Sequence, residues 1–158
     1  MPTPVATTTA LAWKAALLAA MQADANLTGW QITSVYPGNT LRSQAIYFGK
    51  TQAGVTLPVM ISAARVRRQE EYTVELIIDV ATGLADTTQA EAAALGVLGE
   101  IDNMIAANQS LGVTGPQNTT GVWSAYVQSW ETRPFMDDQR QGWAVLCIAR
   151  IQVKARLA

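Results

Sequence analysis

The chain has 158 residues, of which 49% are hydrophobic and 15% charged, and its formal net charge is −1. This length suits one ordinary domain with a sizeable core, and the apolar content excludes an intrinsically disordered chain. Basic residues do not outnumber acidic ones, so the composition does not favour nucleic-acid recognition. No apolar run approaches the ~20 residues that a membrane-spanning helix needs.

The counts of two residue types exclude several kinds of catalytic site. The chain has no histidine, which rules out His-dependent catalytic triads and His-containing metal sites. The single cysteine, Cys147, can form neither an intramolecular disulfide nor a cysteine cluster for zinc. The start of the chain, Met1–Pro4, lacks the basic and apolar segments of a secretory signal. We therefore expect a protein kept in a reducing cytoplasm or released by lysis.

The chain opens with a Pro- and Thr-rich segment and a helical pattern. We expect residues 1–8 to form a flexible arm, followed by a single domain over 9–158. Apolar residues at helical spacing predict a helix over Ala10–Ala25, and Asn26–Gly29 supplies its stop signal.

Alternating and aromatic segments then predict four strands, which are Trp30–Tyr36, Ala45–Phe48, Val59–Arg67 and Glu71–Ala81. Gly49-Lys50 ends the second of these strands, and we expect a polar loop over Gln52–Thr56. Between the last two strands, the pattern predicts an open turn or a bulge near Gln69-Glu70.

The second half of the chain predicts one helix and two strands. The helix spans Thr87–Ala107, with a capping box at Thr88-x-x-Glu91. The remaining predicted segments are a loop over Asn108–Gly121, a strand over Val122–Glu131, a polar connection over Thr132–Gly142 and a strand over Trp143–Leu157. Runs of consecutive strands favour an α+β fold, with a mixed, mainly antiparallel sheet and two helices packed on one face.

The sequence contains few features of an enzyme. It has no glycine-rich phosphate loop, no G-x-S-x-G motif and no metal-ligand cluster. Neighbouring carboxylates occur at Glu70-Glu71 and Asp137-Asp138. Adjacent side chains usually point apart on a strand, so neither is a natural acid/base pair, and we interpret both as solvated turns. Asp79 is interpreted as a turn former and Cys147 as a buried apolar residue. We expect no enzymatic activity, no cofactor and no metal.

Charged residues concentrate on two predicted strands. One group ends a strand and enters the next, and the other occupies one face of the last strand. If the last strand lies beside Glu71–Ala81, the two faces are complementary. They then form either a solvated sheet face or a surface turned toward neighbouring subunits or a channel. The candidate interface or lumen residues are Arg65, Arg67, Arg68, Glu70, Glu71, Glu75, Arg150, Lys154 and Arg156.

Aromatic residues suggest a second surface. Of the five tryptophans, we expect most in the core. Strand alternation places Trp123 on one face and Tyr126 and Trp130 on the other, so at least one tryptophan faces away from the helices. Aromatic side chains are enriched at protein interfaces. The candidate contacts with partner proteins are Trp123, Trp130, Arg133, Asp137, Asp138 and Arg140.

Four segments carry a resemblance to a known family. They are the Ala/Leu-rich opening helix with the Trp30–Tyr36 strand, Arg65–Leu76, the Ala-rich helix ending Leu98–Ile101, and the closing strand Ala149–Leu157. In this layout the chain resembles the tail terminator (tail-completion) proteins of phages with long, non-contractile tails.

The resemblance implies an α+β subunit that assembles with itself into a six-membered ring. Such a ring caps the head-proximal end of the tail tube and stops its polymerisation. Its expected partners are the tail tube protein and the head connector or neck protein. DNA passes through the lumen without sequence recognition, and no membrane is involved. The expected location is the head–tail junction of the virion, after assembly in the host cytoplasm.

Two alternatives stay open at this point. The chain can be a head–tail connector or tail-tube subunit of the same virion, since those proteins have related folds. It can also be a small ligand-binding or enzymatic α+β domain, which requires a concave pocket with convergent polar groups.

Overall fold

The computed structural model describes residues 8–56, 68–81, 87–113, 121–140 and 142–157. Most of the predicted arm over 1–8, the predicted strand Val59–Arg67 and the candidates Arg65 and Arg67 lie outside these residues. The described elements are α1 (Ala10–Ala23), β1 (Gln31–Thr33), β2 (Gln44–Thr56), β3 (Arg68–Ala81), α2 (Thr88–Ala107), β4 (Val122–Asp137) and β5 (Gly142–Leu157). Short 3₁₀ turns lie at Ala25–Leu27 and Gly38–Thr40.

The strands form one five-stranded sheet in the order β1-β2-β3-β5-β4. β1 runs parallel to β2, whereas the other three neighbouring pairs are antiparallel. The predicted α+β class, with a mixed and mainly antiparallel sheet, is confirmed. The condition for complementary charged faces, that the last strand lies beside the Glu71–Ala81 strand, is met, because β5 pairs with β3 from Arg68 to Ala81.

Both helices contribute to a core on one side of the sheet, which we call the inner face. Alternate residues of β3 from Tyr72 to Val80 and of β5 from Val145 to Ala155 point into this core. α1 adds Trp13, Leu17 and Met21, and the buried stripe of α2 includes Leu98 and Ile101. The opposite side of the sheet, which we call the outer face, has no described helix packed against it.

Several predicted boundaries are wrong because strand pairing extends through polar segments. β2 continues past Gly49-Lys50 and through the predicted loop Gln52–Thr56, with a register shift between Phe48 and Thr51. A Cβ at Gly49 would lie 3.0 Å from the carboxylate of Glu75, so glycine permits the close approach of these strands. Thr56 pairs with Gln69, which removes the predicted break near Gln69-Glu70.

The other corrections concern β4, β1 and the helix ends. The predicted connection Thr132–Gly142 is mostly strand, since β4 pairs with β5 as far as Asp137. β1 is limited to Gln31–Thr33 instead of Trp30–Tyr36, and α1 ends at Ala23. The N-cap of α2 is Thr87, which makes no side-chain capping hydrogen bond. Glu91, the expected capping-box partner, accepts a hydrogen bond from Thr132 of β4 at 3.0 Å.

Candidate functional site

The middle of the outer face carries a network of ion pairs across three strands. Arg150 of β5 lies opposite Glu75 of β3, with Nε 3.9 Å from Oε1. The Nη2 atom of Arg150 also lies 2.9 Å from Glu131 Oε1 on β4. Arg133 Nε binds the second oxygen of Glu131 at 3.1 Å. Hydrogen bonds from Arg150 and Arg133 lower the pKa of Glu131. The network fixes charges in a defined pattern, whereas its stabilising effect is small because solvent screens it.

One end of the outer face combines an exposed aromatic ring with cations. A bulge between Val122 and Ser124 projects Trp123, which is 42% exposed. Lys154 Nζ and the guanidinium carbon of Arg156 each lie 5.9 Å from the centroid of the Trp123 ring, within cation–π range. Lys154 also lies 3.9 Å from Glu71, as strand register predicts. We call Trp123, Lys154 and Arg156 the basic end.

The tryptophans of β4 differ from the predicted arrangement. The bulge between Val122 and Ser124 shifts the alternation by one residue, so Tyr126 lies on the outer face with Trp123, and its hydroxyl donates to Gln152. A second bulge, between Val127 and Ser129, shifts the alternation again. Trp130 pairs with Ala149, an inner-face residue, yet it is 52% exposed. Both candidate tryptophans are thus available to a partner.

The other end of the outer face contains an open pocket of about 540 Å³. It lies between the segment after β1 and the turn that joins β4 to β5. The exposed side chain of Tyr36 lies there with Asp138, and Met136 also lines the pocket, although it pairs with Trp143 on the inner-face side of β5. Tyr36 packs edge-to-face on Tyr47, with ring centroids 5.4 Å apart. We call Tyr36, Met136 and Asp138, with the pocket they line, the acidic end.

Arg140 connects the turn that lines this pocket to β3 and to the segment before β2. Its Nε atom lies 2.6 Å from Asp137 Oδ2, and its Nη2 atom lies 2.8 Å from Asp79 Oδ1. Arg140 Nη2 and Asp79 Oδ1 form an ion pair, although their geometry is not that of a hydrogen bond. Nη1 donates to the carbonyl oxygen of Arg42 at 3.2 Å. Arg140 and Asp137, which the sequence suggested as partner contacts, are therefore largely engaged within the chain.

Asp79 is buried within β3, so its interpretation as a turn former is wrong. Burial raises the pKa of Asp79, and the opposing effect of Arg140 only partly offsets this. The hydrogen bond from Arg140 lowers the pKa of the more accessible Asp137. Burial, reinforced by the charge of Asp79, raises the pKa of the neighbouring Tyr47 to about 12.

Glu70 lies on the inner face and is 1% exposed, so its interpretation as a solvated turn is wrong. Its carboxylate accepts hydrogen bonds from the backbone N–H of Thr9 at 3.0 Å and from the hydroxyls of Thr8 and Thr9. The Thr9 hydroxyl also lies 3.1 Å from the hydroxyl of Tyr72. Glu70 thus satisfies donors at the start of α1. Extending the alternation of β3 backward from Tyr72 would have placed Glu70 on the inner face.

The single cysteine, Cys147, is buried. Burial, followed by the charge of Glu91, raises the pKa of the Cys147 thiol to about 11, which disfavours the reactive thiolate. Within the described ranges, no group of acidic and cysteine side chains is placed to hold a metal ion. None of the described helices is long and apolar enough to cross a membrane.

Comparisons with known proteins are limited to structure. No protein-family model matches the chain, and no curated protein sequence matches it. Among solved structures, it is similar to a chain from the virion of a native gene transfer agent particle, with a TM-score of 0.61 and 10% sequence identity. The match covers 96% of this chain and 99% of the other. The two chains therefore share a fold over nearly their whole lengths.

Proposed function

We propose that this chain is a structural virion protein, and specifically the tail terminator of a long, non-contractile tail. In this role it forms a ring with copies of itself at the head-proximal end of the tail tube. The ring stops tube polymerisation and gives the head connector its joining surface. DNA passes through the lumen without being recognised by sequence.

The observation that carries the proposal is the near-complete fold likeness to a chain of a gene transfer agent virion. The layout of the sequence supports the narrower role of terminator, because it resembles that family. The outer face supports a role in assembly, since it presents exposed aromatic side chains and a fixed pattern of charges. Protein–protein interfaces use such features to set orientation and to select partners.

The experiment is to locate the chain on intact particles by immunogold labelling and image averaging. We expect label only at the head–tail junction, with a single six-fold ring that contacts the tube. Label along the whole tail would instead identify a tail-tube subunit. A ring at the junction that contacts the head but not the tube would identify a head–tail connector. Particles without label would contradict every virion role.

The proposal also includes the absence of enzymatic activity. The purified chain, incubated with generic ester and phosphoester substrates, should release product no faster than buffer does. A matched preparation of the Cys147→Ser variant controls for residual thiol reactivity. Turnover by the wild-type chain that saturates with substrate would favour the alternative of an enzymatic α+β domain.

A further inference from the structure

The two ends of the outer face have opposite chemical character. The basic end contains Lys154 and Arg156 against one carboxylate, Glu71. Arg156 is exposed and pairs with no carboxylate among the described residues. The ring of Trp123 already lies beside both cations, so these groups lose little conformational freedom when a partner binds.

The acidic end contains more carboxylates than cations. Asp79, Asp137 and Asp138 lie there with Arg140 and Arg42, and Arg140 is already engaged by two of these carboxylates. Asp138 is exposed and has no ion pair within the described part of the chain. The pocket volume of about 540 Å³ lies within the usual range of binding pockets. Tyr36 adds exposed apolar surface beside Asp138.

We propose that the basic end of one copy binds the acidic end of the next copy. Trp123 contacts the pocket beside Tyr36, while Arg156 pairs with Asp138. The inference rests on the proposed function, because it names the surfaces by which identical subunits of the ring meet.

The geometry favours a second copy over a different partner. β4 carries Trp123 near its start and Met136 near its end, so the two patches lie about 40 Å apart along one strand. They cannot meet within one chain, whereas two copies place them together. A contact between different patches of identical subunits is heterologous, and it generates a ring whenever the successive rotation closes.

Two charge reversals test the pairing. Arg156→Glu and Asp138→Arg should each weaken self-association about tenfold or more, because each opposes like charges in every interface. An equimolar mixture of the two variants should recover association. In that mixture, the introduced glutamate of one variant meets the introduced arginine of the other. The second interface of each alternating pair keeps the native Arg156 and Asp138. Sedimentation velocity and native mass spectrometry measure the association and the number of subunits.

The matched controls are Lys50→Glu and Asp102→Arg, which reverse exposed charges on β2 and α2 outside both ends. They should associate as the wild type does, and circular dichroism should show that all four variants are folded. Wild-type-like association of both test variants would overturn the inference, as would failure of their mixture to recover. A wild-type chain that stays monomeric at all concentrations would also overturn it.

The two proposals fail in distinguishable ways. If six-fold rings at the head–tail junction form regardless of these substitutions, the terminator role stands and the pairing of ends is wrong. If the mixture recovers association but the label lies along the tail, the pairing stands and the chain is a tube subunit.

Discussion

The inner and outer faces of β3 and β5 are built from alternate residues of the same two strands. Inner-face residues such as Leu76 and Ile151 are fully buried under the helices, whereas their neighbours Glu75 and Arg150 form ion pairs at the surface. Burial of apolar area supplies most of the folding free energy, and partly exposed ion pairs supply little. Moving one residue along the strand therefore changes a side chain's role from stabilisation to surface recognition.

The largest expected effect comes from removing inner-face volume. Leu76→Ala leaves a cavity in the central strand β3 and should lower the free energy of unfolding by about 2–5 kcal/mol. Urea denaturation followed by circular dichroism measures the change. Thr73→Ala, on the outer face of the same strand, is the control and should change it far less. Equal effects of the two substitutions would contradict the division between the faces.

Asp79 is an exception on the outer face, because it is buried and ion-paired. Asp79→Ala should lower the free energy of unfolding by about 3 kcal/mol. This value is at the lower end for a broken buried ion pair, because Arg140 keeps Asp137 as a partner. Thermal and urea denaturation measure the cost. Asp138→Ala removes a nearby exposed carboxylate and should change stability by less than about 0.5 kcal/mol. If Asp79→Ala lowers the free energy of unfolding as little as Asp138→Ala does, the ion pair between Asp79 and Arg140 is unimportant for folding.

Glu70 is the corresponding exception on the inner face. Glu70→Ala leaves the donors of Thr8 and Thr9 without their acceptor and should cost about 1–3 kcal/mol. Glu70→Gln retains one acceptor oxygen and should cost less. Hydrogen exchange at the Thr9 amide should accelerate in both variants, more strongly in the alanine one. An unchanged exchange rate would mean that another group satisfies this amide.

The smallest effect is expected in the outer-face network. Because its pKa is lowered in the folded chain, Glu131 adds stability above the ordinary glutamate pKa and loses it as the pH falls through the lowered value. Arg150→Gln removes the principal hydrogen bond, so the pKa of Glu131 should rise toward its ordinary value. NMR titration of the Glu131 carboxyl carbon measures the shift. Lys154→Gln, four residues farther along β5, should leave that titration unchanged.

Period-two alternation made the faces of β3 and β5 predictable, because both strands are paired on both sides and their inner faces are continuously apolar. The exceptions depend on distant residues. The burial of Glu70 depends on hydrogen-bond donors near the start of the chain, and the burial of Asp79 depends on Arg140 in the β4–β5 turn. The alternation of the residues themselves contains no information about these partners.

The extent and phase of β4 were unpredictable for a related reason. Its polar second half forms a strand because β5 supplies a hydrogen-bonding partner as far as Asp137. Two bulges then change which side chains share a face, so Tyr126 was assigned to the wrong side. The outer-face charge pairs follow from the sequence if β3 and β5 are neighbours. The pocket also needs the segment after β1, and the sequence pattern did not place that segment beside the β4–β5 turn.

The position of β5 has a consequence for how the chain acquires its structure during synthesis. This strand follows every other described element in the chain, yet it lies between β3 and β4 in the sheet. β3 and β4 therefore cannot join the same sheet until the ribosome has released β5. The core must close through contacts between residues far apart in sequence, which slows folding. Nascent chains interrupted before β5 would expose the inner face, so only chains that include β5 should bury it.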